Sequence, residues 1–107
     1  MKTVVQVGRP LSREQLQKFL AQIPKSWTKG IASVNVLVCL DPDLKVTFHS
    51  KEQTLCLHVS EVTKLTEEDL LLELAVAFQL VQDFGHIPSR VPSSRRSAYE
   101  DNWRNSN

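Results

Sequence analysis

The sequence predicts a two-layer α+β domain: an antiparallel sheet of three or four strands, two main helices packed on one face, and a C-terminal tail or short helix. Three observations carry this. Leu16, Phe19, Leu20 and Ile23 recur at helical spacing. Residues 70–81 are apolar except for Glu73 and Gln79. Between those stretches, Val34, Val36, Val38 and Leu40, then Leu44, Val46 and Phe48, then Leu55, Leu57 and Val59 alternate as strands do.

Taken in order, Thr3–Val7 reads as a short strand closed by Gly8 and Pro10. Ser12 is a good N-cap for the first helix, with Gln15 as its capping-box partner and Leu11 placed to staple onto Leu16. Pro24 ends that helix, because a proline has no N–H to continue it. Residues 25–30 form a loop. Residues 31–40 form a strand apolar on much of both faces, which suits an interior position.

Asp41-Pro42-Asp43 is a turn signal. A hairpin there sets Leu40 against Leu44, Val38 against Val46 and Val36 against Phe48, so all the large apolar groups share a face. The next turn, residues 50–53, pairs His49 with Thr54, Thr47 with Cys56 and Lys45 with His58 on a polar face. The expected middle of the domain is therefore an antiparallel meander. Thr66 then caps the second helix, with Asp69 at the capping-box position and three acids in the first turn, where the helix dipole favours them. A helix so apolar all round must be buried on most sides. Gly85 is its natural terminator.

Residues 1–86 are thus expected to form one domain, and residues 87–107 an Arg/Ser-rich tail. Tyr99 and Trp103, four apart, would share one face of a short helix docked on the body.

At 107 residues, with 41% hydrophobic residues, the chain suits a single globular core. No apolar run approaches the ~20 residues of a membrane span. Residues 1–7 hold too short an apolar stretch for a signal peptide. The expectation is a soluble cytoplasmic protein without membrane contact. Cys39 and Cys56 lie in strands, without the Cys-x-x-Cys spacing of a zinc site. The net charge of +1 divides into +5 over residues 1–51 and −4 over residues 52–107. The positive charges of the first half are spread out, as on a solvated face.

The long helix ends in a polar stripe, Gln79, Gln82, Asp83 and His86, where a small domain could carry chemistry. The order strand, helix, meander, buried helix and tail, with residues 78–85 reading Phe-Gln-Leu-Val-Gln-Asp-Phe-Gly, resembles the small zinc-metallopeptidase-like (zincin-type) domains. Their helix carries His-Glu-x-x-His: two imidazoles bind zinc and the glutamate activates the metal-bound water. The resemblance implies that Phe78 stands at the first ligand, Gln79 at the general base, Gln82 at the second ligand and Glu100 in place of a third. Phenylalanine cannot ligate a metal, and glutamine is neutral and cannot act as a base. The resemblance therefore implies the family's frame with its active site erased.

No other catalytic constellation stands out. His49, Cys56 and His58 share a hairpin face, but the two histidines are two cross-strand pairs apart, too far to bind one ion with Cys56 between them. The three glycines are isolated, so no loop cradles a phosphate. The expectation is a non-enzymatic protein with no cofactor: a small binding or regulatory module acting through contact with a protein partner or a second copy of itself. Its expected contact surface is Arg95, Arg96, Tyr99, Trp103 and Arg104, extended by His86 and Gln82, since Arg, Tyr and Trp dominate interface hot spots. The runner-up is a nucleic-acid-binding accessory protein gripping phosphates with the tail arginines and stacking bases on Tyr99 and Trp103. A pI near 7.8 argues against it. A third alternative is a divergent metal-dependent hydrolase with ligands elsewhere in the chain.

Overall fold

The computed structural model describes residues 2–5, 12–39, 44–60 and 66–106, with backbone alone for 2–5, 38 and 39. It is an α+β domain with the elements β1 (Lys2–Val5), α1 (Arg13–Gln22), β2 (Ser33–Cys39), β3 (Lys45–His49), β4 (Thr54–Ser60), α2 (Glu67–Phe84) and α3 (Ser93–Ser106). Among the described residues no helix is long and apolar enough to cross a membrane.

Both expected helix starts form. The Ser12 hydroxyl accepts from the Gln15 amide at 3.2 Å and donates to Gln15 Oε1 at 2.9 Å. Thr66 and Asp69 close a complete capping box at the start of α2, each accepting from the other's backbone amide at 3.2 Å. Two amides with no partner in the helix are satisfied in this way. Gly85 ends α2 at φ +75°, a left-handed conformation that costs glycine nothing. The first strand is present as Lys2–Val5. Gly8, Pro10, the Leu11 staple, Leu40 and the Asp41-Pro42-Asp43 turn lie outside the described residues.

The sheet departs from the expected antiparallel meander. Its strand order is β1-β2-β4-β3. β1 pairs with β2 in parallel, and β2 pairs with β4 in parallel, setting Val34 against Leu55 and Val36 against Leu57. Only β3 and β4 are antiparallel. The sheet is therefore mixed, and the expected Val38–Val46 and Val36–Phe48 pairs do not form. The second hairpin keeps the expected register: Lys45 faces His58, Thr47 faces Cys56 and His49 faces Thr54.

Side-chain size accounts for the order. β4 offers Thr54, Cys56, His58 and Ser60 on the face away from the helices; Thr54, Cys56 and Ser60 are small enough to be buried between neighbours, and His58 is half-buried. β3 offers Lys45 and His49 there, both exposed. Long polar groups belong on an edge and small ones inside. The start of β2 is also tied to the β3–β4 turn, with the Ala32 amide donating to the Gln53 carbonyl at 2.7 Å and Ser33 Oγ lying 2.8 Å from Thr54 Oγ1. Residues 40–53, which include β3, make the long connection that two parallel strands require.

α1 and α2 cover the other face. Leu16 and Phe19 of α1, with Ile23 just after it, meet Leu70, Leu74, Ala77 and Phe78 of α2 over Val34, Val36, Leu55, Leu57 and Val59. Each large side chain buried here is worth ~1.5–3 kcal/mol of transfer free energy. A single 3-10 turn, Lys25–Thr28, follows Pro24 where a loop was expected. The tail holds a docked helix, α3, of 14 residues and longer than the Tyr99–Trp103 spacing alone implies.

Candidate binding surface

Three members of the polar stripe, Gln79, Gln82 and Asp83, hold neighbouring segments. Gln79 is 5% exposed. Its Nε2 donates to the Ala75 carbonyl at 3.2 Å and to the Tyr99 carbonyl at 2.8 Å, and its Oε1 accepts from Asn102 Nδ2 at 2.9 Å. Gln82 Nε2 donates to the Trp27 and Lys29 carbonyls at 2.7 and 2.8 Å, which pins the 3-10 turn. Asp83 accepts the Tyr99 hydroxyl. His86 Nδ1 lies 3.0 Å from the Phe84 carbonyl and, facing a carbonyl, donates to it. Gln79 and Gln82, neutral amides with both donor and acceptor, suit this buttressing.

The positions matched to the metallopeptidase pattern have separate partners. Phe78 is buried in the main core, its ring 6.2 Å from that of Phe19. Gln79 joins α2 to α3, and Gln82 joins α2 to the turn. Glu100 pairs with Arg96 Nε at 3.3 Å. This donor set does not fit a zinc ion: one position is a core hydrocarbon, and both amide nitrogens are already committed to carbonyls. Among the described residues no group of three or more His, Cys, Asp or Glu side chains is placed to hold a metal. His49 and His58 come closer than the strand rise implied, because both rings lean toward Thr47 Oγ1, at 3.4 and 3.1 Å. Beside them Cys56 is buried, and burial pushes its thiol pKa up despite hydrogen bonds from Asn35 and Thr47.

The expected contact residues divide into two sets. Tyr99 is buried against Val76 and Leu80, and Trp103 packs against Phe19 with ring centroids 4.8 Å apart. Burial and the bond to Asp83 both raise the Tyr99 pKa, so its hydroxyl stays a donor. Arg96 donates through Nη1 to Glu73 at 3.3 Å, pairs with it again through Nη2 and meets Glu100 on its own helix, so two carboxylates offset its charge. These three side chains fasten α3 to the body. Arg104 is exposed and reaches Asp101 at 3.6 Å. Arg95 is exposed, its guanidinium 5.0 Å above the Phe84 ring and its Nη1 3.7 Å from Asp83.

Two adjoining depressions remain open on this side. The first is a groove of about 380 Å³ between β3 and α2, closed at one end by residues 87–91. Leu44, Val46, Val76, Leu80, Ile87 and Val91 line it together with the charged Lys45, Glu73 and Arg96. β3 pairs with β4 alone among the described residues, so its other edge is unpaired among them, and its residues Lys45 and Val46 line this groove. The second is a pocket of about 320 Å³ lined by Phe84, His86, Pro88, Arg90, Val91 and Arg95. Pro88 and Val91 line both. A larger hollow, of about 660 Å³, lies between the start of α2 and the end of α3 and mixes Glu68 and Asp69 with Arg104.

The sequence points to Arg95 and His86, and to Arg90 as a phosphate-gripping tail arginine, but not to Phe84 or to a free edge on β3. A phenylalanine directly before a helix-ending glycine, followed within six residues by His86 and Arg90, was the available signal. The edge depended on the strand order. Comparison with known protein families, with characterised proteins and with solved structures found no match.

Proposed function

We propose that this chain is a small non-catalytic protein-binding module that takes an extended segment of a partner along β3. The observation that carries the reading is a strand edge, unpaired among the described residues, beside a groove that mixes apolar side chains with Lys45, Glu73 and Arg96. An unpaired edge supplies backbone donors and acceptors for an added strand, and a neighbouring groove takes alternate side chains of the added segment. α3, fastened by Tyr99, Trp103 and Arg96, and the 87–91 segment wall the groove, and a wall set before a ligand arrives reduces the ordering cost of binding.

On this reading the metallopeptidase-like order of elements is a frame used for binding, with a phenylalanine and two amides where that chemistry needs two ligands and a base. The nucleic-acid alternative has weaker support, because Tyr99 and Trp103, the side chains that would stack bases, face the core. A cytoplasmic location is part of the proposal, supported by the free buried thiol of Cys56.

The test is selection from a displayed library of random ten-residue peptides. Enrichment of sequences alternating apolar and polar residues is expected with the native protein, and its loss with Val46→Asp or with Val91→Asp, each checked for folding by thermal melting. No enrichment over an unrelated domain refutes the reading. Light scattering shows whether a second copy occupies the edge; a dimer dispersed by Val46→Asp would identify the added strand as the protein's own.

A further inference from the structure

The pocket beside the groove has a chemistry of its own. His86, Arg90 and Arg95 line it, and none of its lining residues is acidic. Arg90 is exposed and makes no ion pair or hydrogen bond among the described residues. The one carboxylate near Arg95 is Asp83, at 3.7 Å, with both side chains about half exposed and Asp83 already accepting the Tyr99 hydroxyl. Arg95 Nη1 is held at 3.4 Å from that same hydroxyl and its guanidinium lies over Phe84. The guanidinium is therefore positioned, and much of its donor capacity is unused.

Phe84 adds a second anomaly. It is 41% exposed, the one large hydrophobic side chain so exposed among the described residues. With Pro88, Val91 and Pro92 it gives the pocket an apolar wall beneath the cations. An apolar wall with convergent cations suits the stem and head of an acidic side chain: the methylenes cover the ring and the carboxylate meets the guanidinium groups. α3 begins at this pocket and carries no acid in its first turn, so the helix dipole adds to the positive field there.

We propose that this pocket receives an Asp or Glu side chain of the same extended partner segment that lies along β3, at the end that crosses residues 87–91. The inference rests on the proposed groove reading and adds the partner's charge to it. The geometry that joins them is the shared wall: Pro88 and Val91 line both depressions, so a segment leaving the groove over those residues enters the basic pocket. The ligand is an apolar, β-forming stretch followed by an acid. Charge complementarity of this kind sets orientation and register along an otherwise degenerate strand edge.

The test uses the same displayed ten-residue library with native protein, Arg90→Glu and Arg90→Ala/Arg95→Ala. Native protein is expected to enrich peptides with Asp or Glu at one end of the apolar stretch. Arg90→Glu should replace that preference with Lys or Arg. A synthetic peptide from the native pool should lose about tenfold in affinity when its acid becomes Gln or Asn. The same change should be nearly neutral against Arg90→Ala/Arg95→Ala, because the interaction is already absent there. Arg90→Ala alone removes a side chain with no partner among the described residues, so it preserves the test if Arg95→Ala disturbs the fold.

Apolar peptides without an acid would overturn this inference and leave the groove reading standing. Absence of any enriched peptide would overturn both. Arg90-dependent binding of a mixed-sequence single-stranded oligonucleotide, with no acidic preference among peptides, would also overturn it, in favour of a phosphate-backbone ligand.

Discussion

Replacing Gln79 by Glu should destabilise the fold strongly at neutral pH and much less at pH 4. The substitution exchanges the Nε2 donor for an oxygen and changes nothing else in shape. That donor bonds the Ala75 and Tyr99 carbonyls at 3.2 and 2.8 Å inside a site 5% exposed. A carboxylate there would face two carbonyl oxygens with only Asn102 Nδ2 to solvate it. Loss of the neutral hydrogen bonds costs ~1–2 kcal/mol at any pH. Burial of the charge adds ~2–3 kcal/mol more, expressed as a folded-state pKa above the unfolded value of about 4.3.

The sign follows from that direction. Below about pH 4.3 the carboxyl is protonated in both states and only the hydrogen-bond loss remains. As pH rises the unfolded chain ionises first, so stability falls by ~1.4 kcal/mol per pH unit until the folded state ionises as well, and then levels off. The expected losses are about 1–2 kcal/mol at pH 4 and about 4 kcal/mol at pH 7, against a total near 5–15 kcal/mol for a domain of this size. Urea unfolding followed by far-UV circular dichroism at both pH values, with the native protein subtracted at each, measures the difference. Equal losses at the two pH values, or a loss under about 1 kcal/mol at pH 7, would refute the buried α2–α3 junction. The same substitution supplies the glutamate of the metallopeptidase pattern, so the experiment also shows what that residue would cost this frame.

Two further outcomes follow from the sheet. Ser33→Cys/Thr54→Cys should form a disulfide under mild oxidation, detectable by mass spectrometry, because the two hydroxyls lie 2.8 Å apart on adjacent strands; in a meander with β3 between them the strands would be ~9.5 Å apart, beyond the ~7 Å reach of a disulfide, and no bond would form. Cys56 in the native protein should react with iodoacetamide at least about tenfold more slowly than in urea at pH 8, since burial both screens the thiol and raises its pKa, leaving less thiolate; rising pH should quicken the folded protein's reaction later than the unfolded chain's, and equal rates at pH 8 would contradict the burial of β4.

How much of this was legible in the sequence depended on the range over which each feature is decided. Helix ends are decided within four residues, and Ser12, Thr66, Asp69 and Gly85 marked them correctly. The β3–β4 hairpin is decided by one turn and an alternation, and its register was readable residue by residue. The order of strands is decided by competition between segments distant in sequence. A meander and the observed β1-β2-β4-β3 order bury the same valines and leucines on the helix face. They differ in what the opposite face must hide, and there the small side chains of Thr54, Cys56 and Ser60 favour β4 over β3 for the interior. The apolar pattern could not see that choice because it concerns the polar face.

The same limit applies to the candidate site. Arginines and aromatics in the tail looked like a contact surface because composition does not record which way a side chain turns. Once α3 docks, helical spacing sends Tyr99 and Trp103 inward and points Arg96 at Glu73, while Arg95 is left outside over Phe84. The residues left available for a ligand are therefore those that the docking does not use. Arg90 and His86 belong to this set, and so does the edge that β3 acquires only because β4 took the interior. Docking of α3 engages Tyr99, Trp103, Arg96 and Glu73 and leaves Arg90 without an ion pair among the described residues. A binding surface is then best sought among the charges and strand edges that folding leaves unpaired, and here these meet at Pro88 and Val91.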